Sequence, residues 1–92
     1  MALETTVYTF KISVPFTDWA KGFDSAEVVK MHEANSIKPL YRGVSKDNPE
    51  SVIVIHQAEE GVAKAFFEAS REAVEATGHI YNSTIITSYL AA

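Results

Sequence analysis

The chain contains no cysteine, which excludes disulfide bonds, thiolate metal sites and cysteine nucleophiles together. Lysine and arginine are also few, eight against twelve acidic residues, so the formal net charge is −4 and no basic patch suits nucleic acid or an anionic membrane. No apolar run approaches the roughly 20 residues that cross a bilayer, and the N-terminus lacks a basic leader. We therefore expect a cytoplasmic protein that binds neither nucleic acid nor membranes.

Glycine and proline are scarce as well, with four and three residues, so breaks in regular structure are few and informative. The apolar fraction of 47% and the charged fraction of 22% are typical of globular proteins rather than disordered ones. A chain of this length supports one hydrophobic core and not two. We expect residues 1–92 to form a single domain.

Besides the segment 51–56, three segments are predicted to be strands. Residues 4–14 alternate apolar and polar side chains with a period of two. Residues 37–46 contain Pro39 and Gly43, which suit an edge strand or a bulge. Residues 79–90 are rich in isoleucine, threonine and tyrosine with no internal breaker, which predicts a last strand.

The segment 51–56 (SVIVIH) is the most informative, because four consecutive β-branched apolar residues leave no face for water. A strand of this kind is normally covered on both sides. Right-handed crossovers would place both helical segments of the chain on one face of the sheet. We expect a second copy of the chain to cover the other face, as a homodimer or as the unit of a higher oligomer.

Two helical segments separate the strands. The first is predicted to break or kink at Gly22-Phe23, after which Asp24 and Glu27 form a capping box that opens a second piece over 25–34. The other segment, 59–77, repeats apolar residues at intervals of four and three and is predicted to be one helix that stops at Gly78.

The resulting order, β-α-β-β-α-β, predicts an α+β, ferredoxin-like fold. In this fold a four-stranded antiparallel sheet carries two helices on one face, and the first and third strands are central. The apolar third strand suits the centre, and the second strand, with its proline and glycine, suits an edge.

Several segments carry a resemblance to known families. Residues 43–55 (GVSKDNPESVIVI), followed by an acidic pair and a long helix, resemble the dimeric α/β-barrel superfamily, which includes the antibiotic-biosynthesis monooxygenase-like and stress-responsive barrel domains. Segments 19–23 (WAKGF), 31–35 (MHEAN) and 39–43 (PLYRG) look like a small family of proteins of unknown function found mainly in cyanobacteria.

The resemblance implies a ferredoxin-like protomer whose sheet packs against that of a second protomer. In the enzymes of the superfamily it also implies a pocket between sheet and helices. Many of those enzymes carry a histidine on the second helix, about where this chain has Phe66 and Phe67, so no catalytic residue transfers from that motif.

The three histidines have no metal-ligand spacing, and we expect neither a metal nor a cofactor. His32, near a helix C-terminus, is expected to interact with the helix dipole. His56 ends the apolar strand and is expected to be a hydrogen-bonded histidine of the core or interface. His79 follows Gly78 and is expected to be a solvent-exposed cap.

Arg42 shares a strand face with Leu40 and Val44, so its guanidinium would be drawn beneath the helices and would need a partner. That partner is either a carboxylate such as Glu33 or an anionic ligand. The residues that we expect to line a candidate pocket are Trp19, Phe23, His32, Tyr41, Arg42 and His56.

Two functions remain open from the sequence. The favoured one is a homo-oligomeric domain that binds a small hydrophobic or anionic ligand or serves as an interaction module. The alternative is a cofactor-free, monooxygenase-like or isomerase-like enzyme in which His32 or His56 moves a proton and Arg42 holds an anionic oxygen. A pocket of at least about 300 Å³ shared by Arg42 and a histidine would favour a ligand-binding or enzymatic function. A filled core with Arg42 paired to a carboxylate would favour a structural role for these residues.

Overall fold

The computed structural model describes residues 2–91, which form four strands and four short helices. The strands are β1 (Leu3–Ile12), β2 (Lys38–Val44), β3 (Ser51–Glu59) and β4 (His79–Leu90). The helices are α1 (Phe16–Phe23), α2 (Ala26–Ala34), α3 (Val62–Ala69) and α4 (Arg71–Ala76). Their order along the chain is β1-α1-α2-β2-β3-α3-α4-β4, so each predicted helical segment is present as a pair of helices.

The four strands form one antiparallel sheet in the order β2-β3-β1-β4, which confirms β1 and β3 as its central strands. β1 pairs with β3 without interruption from Leu3 opposite Glu59 to Lys11 opposite Ser51. The register of β2 against β3 shifts just after Pro39, whose nitrogen cannot donate to a ladder, so β2 is the irregular edge strand that the sequence predicts.

Neighbouring residues of β3 serve opposite faces of the sheet. Val52 and Val54 are buried beneath the helices, where they pack with Tyr8 and other core residues. Ile53 and Ile55 point to the helix-free face and remain half-buried. The strand is therefore apolar on both sides, and the helices of its own chain cover only one of them.

The first helical segment breaks two residues later than predicted, at Asp24 and Ser25. Ser25 caps α2, because its hydroxyl accepts a hydrogen bond from the backbone nitrogen of Val28 at 3.3 Å. The capping box expected from Asp24 is wrong, since the Asp24 carboxylate accepts a hydrogen bond from Arg42 at 2.6 Å instead.

The second helical segment is not the single helix expected over 59–77. It divides at Ser70, whose backbone N–H is shared between the carbonyls of Phe66 and Phe67, the pattern of a helix that tightens at its end. The stop at Gly78 is confirmed: φ is +93° there, and a Cβ would lie 2.6 Å from a methyl carbon of Val14. Within residues 2–91, no helix is long and apolar enough to cross a membrane.

Candidate functional site

A cavity of about 100 Å³ lies between the sheet and the helices. Residues of β1 and β3 form its floor, and all four helices and the start of β4 contribute to its walls. Ala73, which is exposed on α4, belongs to the lining, so the cavity approaches the surface there. The lining contains no lysine, arginine, aspartate or glutamate, and its surface is almost entirely apolar.

Eight aromatic side chains surround the cavity in a closed sequence of ring contacts, which we call the aromatic circuit. Neighbouring ring centroids lie 3.6 to 5.6 Å apart around the circuit. Tilted and edge-to-face contacts of this kind stabilise aromatic pairs beyond the area they bury. The circuit runs through His32, His56, Tyr8, Phe67, His79, Phe10, Trp19 and Phe23 and returns to His32.

His32 and His56 meet edge to face at one side of the circuit, with ring centroids 4.9 Å apart. His32 lies in the last turn of α2 but is 6% exposed, and burial lowers its pKa. A neutral imidazole carries no charge to offer the helix dipole, so the dipole role expected for His32 is not supported.

His56 is 7% exposed, and its Nε2 atom has no hydrogen-bond partner among the described residues. The prediction that His56 is hydrogen-bonded is therefore wrong for its Nε2 atom. Burial, with the neighbouring His32 as a second cause, lowers the pKa of His56 to about 3. His56 is thus a neutral ring at neutral pH that lines an apolar cavity and carries one buried polar atom without a partner among the described residues.

His79 is not the exposed cap that the sequence suggested. It is 6% exposed and lies flat on Phe10, with ring centroids 3.6 Å apart, and its Nε2 forms a 2.6 Å hydrogen bond with the Thr84 hydroxyl. Burial lowers the pKa of His79 to about 4. Gly78 turns the chain inward at the start of β4, which brings this ring beneath the helices.

Tyr41 and Arg42, two of the candidate pocket residues, lie outside the cavity. Tyr41 pairs with Ile55, so it points to the helix-free face, where it is 58% exposed. Arg42 points to the helix side, but at the sheet edge, where its guanidinium donates to Asp24 at 2.6 Å. The carboxylate expected for Arg42 is thus Asp24 and not Glu33.

The other four candidates, Trp19, Phe23, His32 and His56, all line the cavity. Trp19 and Phe23 come from α1, His32 from α2 and His56 from β3, so three elements bring these residues together. Sequence reasoning did not assign Tyr8, Phe10, Phe67 and His79 to the site. The period of two in β1 could have found Tyr8 and Phe10, since both fall on the strand face that the helices cover.

The cavity fully matches neither of the two alternatives, a pocket of at least about 300 Å³ shared by Arg42 and a histidine or a filled core with Arg42 paired to a carboxylate. It is smaller than about 300 Å³ and does not include Arg42, yet it brings three histidines together around an opening in the core. Within residues 2–91, no group of three or more histidine, cysteine, aspartate or glutamate side chains is placed to hold a metal ion.

Solved structures share this architecture over nearly their whole length. A NIPSNAP family protein from Agrobacterium tumefaciens str. C58 is 11% identical, with 98% of this chain and 93% of that chain covered and a TM-score of 0.64. A protein assigned to the antibiotic biosynthesis monooxygenases, from Caulobacter crescentus CB15, is 20% identical, with 99% and 91% covered and a TM-score of 0.62. SnoaB, a cofactor-independent oxygenase from Streptomyces nogalater, is 12% identical, with 100% and 93% covered and a TM-score of 0.58.

At these identities the likeness shows the fold alone, which is the α+β, ferredoxin-like fold that the order of elements predicts. No curated protein matches the chain in sequence. Residues 3–91 match the family DUF3764, described as a domain of unknown function. The chain belongs to that family.

Proposed function

We propose that this domain is a homo-oligomeric binding module that holds a small, largely apolar molecule inside the aromatic circuit. The observation that carries the proposal is that His56 lines the cavity and that its buried Nε2 has no hydrogen-bond partner among the described residues. A buried polar atom without a partner costs about 1 to 3 kcal/mol, and a ligand with one hydrogen-bonding group would remove that cost. Aromatic walls with few polar groups are the usual lining of small-molecule sites.

The volume of the cavity limits the size of the ligand. Pockets for drug-sized ligands span roughly 300 to 1,000 Å³, whereas an engineered cavity of about 150 Å³ holds benzene. With about 100 Å³, this cavity suits a molecule of one ring or less. Larger, multi-ring molecules would require the helices to move.

Binding is better supported than catalysis. A general base works best when its pKa lies near the working pH, and a pKa of about 3 makes His56 a weak base. Arg42, the residue expected to hold an anionic oxygen in an enzyme, is paired with Asp24 outside the cavity. Phe66 and Phe67 line the wall where the resemblance would place a catalytic histidine.

Trp19 provides a direct test of binding, because it is the only tryptophan of the chain and it lines the cavity. Titration with phenol should change its fluorescence saturably, with a Kd on the order of 1 mM for so small a ligand. Ala73→Phe should abolish the change by filling the mouth of the cavity. Ala76→Phe, at an exposed position of the same helix outside the lining, is the matched control and should bind normally.

A linear response of Trp19 without saturation in the wild-type protein would refute binding in the cavity. Equal binding by Ala73→Phe and Ala76→Phe would place the phenol elsewhere on the protein and would refute the assignment of the site.

The helix-free face supports the self-association part of the proposal. Its centre, at Thr5, Val7 and Thr9 of β1, carries no charge, and large side chains that the helices do not cover surround it. Patches of this kind on small domains mark interaction sites. The apolar and aromatic side chains on this face include Val7, Tyr41, Ile53, Ile55, Ile85 and Tyr89.

Ile85 is 65% exposed in the protomer, so a charge there should separate the subunits without unfolding them. Ile85→Lys is expected to halve the mass measured by light scattering while the circular dichroism spectrum is retained. Val29→Lys, at a 42% exposed position on α2, is the control and should leave the mass unchanged. A wild-type protein that stays monomeric at high concentration would contradict the proposed interface.

A further inference from the structure

The walls of the cavity offer no charge to a ligand. None of the lining residues is a lysine, arginine, aspartate or glutamate, and the only ionisable groups are Tyr8 and the three histidines. Each of these four side chains is less than a tenth exposed. Burial disfavours the charged form of all four, raising the pKa of Tyr8 and lowering the pKa of His32, His56 and His79.

Arg42, a cation beside the circuit, is held outside it. The guanidinium carbon of Arg42 lies 6.0 Å from the ring centroid of Phe23, on the sheet edge, and Arg42 is not among the lining residues. Its charge is already paired with Asp24 at 2.6 Å. An anion inside the circuit would therefore lose its hydration without gaining a cationic partner, which is among the costliest events in a protein interior.

His56 carries the one fully buried side-chain polar atom of the described residues that has no hydrogen-bond partner. An imidazole nitrogen accepts a hydrogen bond in one tautomer and donates one in the other, so it can serve a hydroxyl, an amide or a carbonyl group. The other rings of the circuit offer faces and edges that pack against another ring, and Tyr8, His32 and His79 carry polar atoms of their own.

We infer that the cavity selects uncharged molecules of about one ring that carry a single hydrogen-bonding group, and that it rejects carboxylates of the same size. The inference rests on the proposed function and narrows its ligand class, since the sequence left a hydrophobic and an anionic ligand equally open. It assigns His56 as the specificity-determining residue of the site.

Two pairs of probes of matched size separate the effects of charge and of hydrogen bonding. Benzamide and benzoate differ mainly in charge, and phenol and toluene differ mainly in the hydroxyl group. Each is titrated into the wild-type protein at neutral pH and followed by Trp19 fluorescence, excited at the red edge of its absorption band. We expect benzamide to bind at least about tenfold more tightly than benzoate, and phenol about tenfold more tightly than toluene.

The outcomes distinguish this inference from the proposed function. If none of the four compounds binds, both fail. If the compounds bind but benzoate equals benzamide, or toluene equals phenol, the cavity binds ligands and only the selectivity inferred here is wrong. In His56→Phe, which keeps an aromatic ring and removes both imidazole nitrogens, the preference for phenol over toluene should disappear, and its persistence would refute the role of His56.

Discussion

Mild acid should destabilise this protein through the buried histidines of the aromatic circuit. Burial holds the pKa of His56 at about 3 and that of His79 at about 4 in the folded chain, against 6.5 for an ordinary histidine. Above 6.5 the rings are neutral in both states and contribute no pH dependence. As the pH falls below 6.5, the unfolded chain takes up protons that the folded chain does not, so stability is lost.

The size of the loss at about pH 5 depends little on the folded pKa values, because both lie well below that pH. The interval from 6.5 to about 5 is about 1.5 pH units, which at about 1.4 kcal/mol per unit comes to about 2 kcal/mol for each ring. His56 and His79 together therefore remove about 4 kcal/mol, and His32, whose pKa is also lowered by burial, acts in the same direction. Small domains have only about 5 to 15 kcal/mol in total.

Urea denaturation at fixed protein concentration, followed by Trp19 fluorescence between about pH 7 and about pH 5, measures this loss. The double variant His56→Gln/His79→Gln should lose about 4 kcal/mol less than the wild type over the same interval. NMR titration of the wild-type imidazoles should show no protonation of His56 at about pH 5. An unfolding free energy that is the same at both pH values would refute the burial of neutral histidines.

Two further predictions test the turn into β4 and the position of Arg42. Gly78→Ala should destabilise the protein by about 2 to 3 kcal/mol or more, because a left-handed φ and a collision combine there. Gly61→Ala, with φ of +83° and open space around it, should cost only about 1 kcal/mol. Equal urea midpoints for the two variants would contradict this prediction. Arg42→Met and Asp24→Asn, in a double-mutant cycle, should show a coupling below about 1 kcal/mol, since both side chains are partly exposed. Both variants should bind phenol with unchanged affinity, and a loss of affinity would show that Arg42 belongs to the site.

The sheet could be predicted because its signals are local. A period of two, a breaker at Pro39 and a doubly apolar run are visible in the residues themselves, and they rank the strands from edge to centre. The division of the helix at Ser70 was missed, because the apolar spacing of four and three continues across it. A shared backbone hydrogen bond leaves no trace in such a pattern.

The candidate site was only partly accessible to the same reasoning. Tyr41 is the neighbour of Arg42 on β2, so the alternation that puts Arg42 on the helix side puts Tyr41 on the helix-free side, and one pocket could not hold both. His79 looked solvent-exposed because it follows a glycine, but the left-handed turn of Gly78 points it inward. Ring contacts between distant strands and helices, such as that of Tyr8 with Phe67, arise only from the tertiary packing.

The alternation along β3 constrains how this protein can vary. His56 faces the cavity and its neighbour Ile55 faces away from it, so a substitution can alter either surface alone. Insertion or deletion of one residue within the strand would instead turn every following side chain to the opposite face. Such a change would turn an isoleucine toward the circuit and a histidine away from it. This strand can therefore accept substitutions, whereas its length must stay constant.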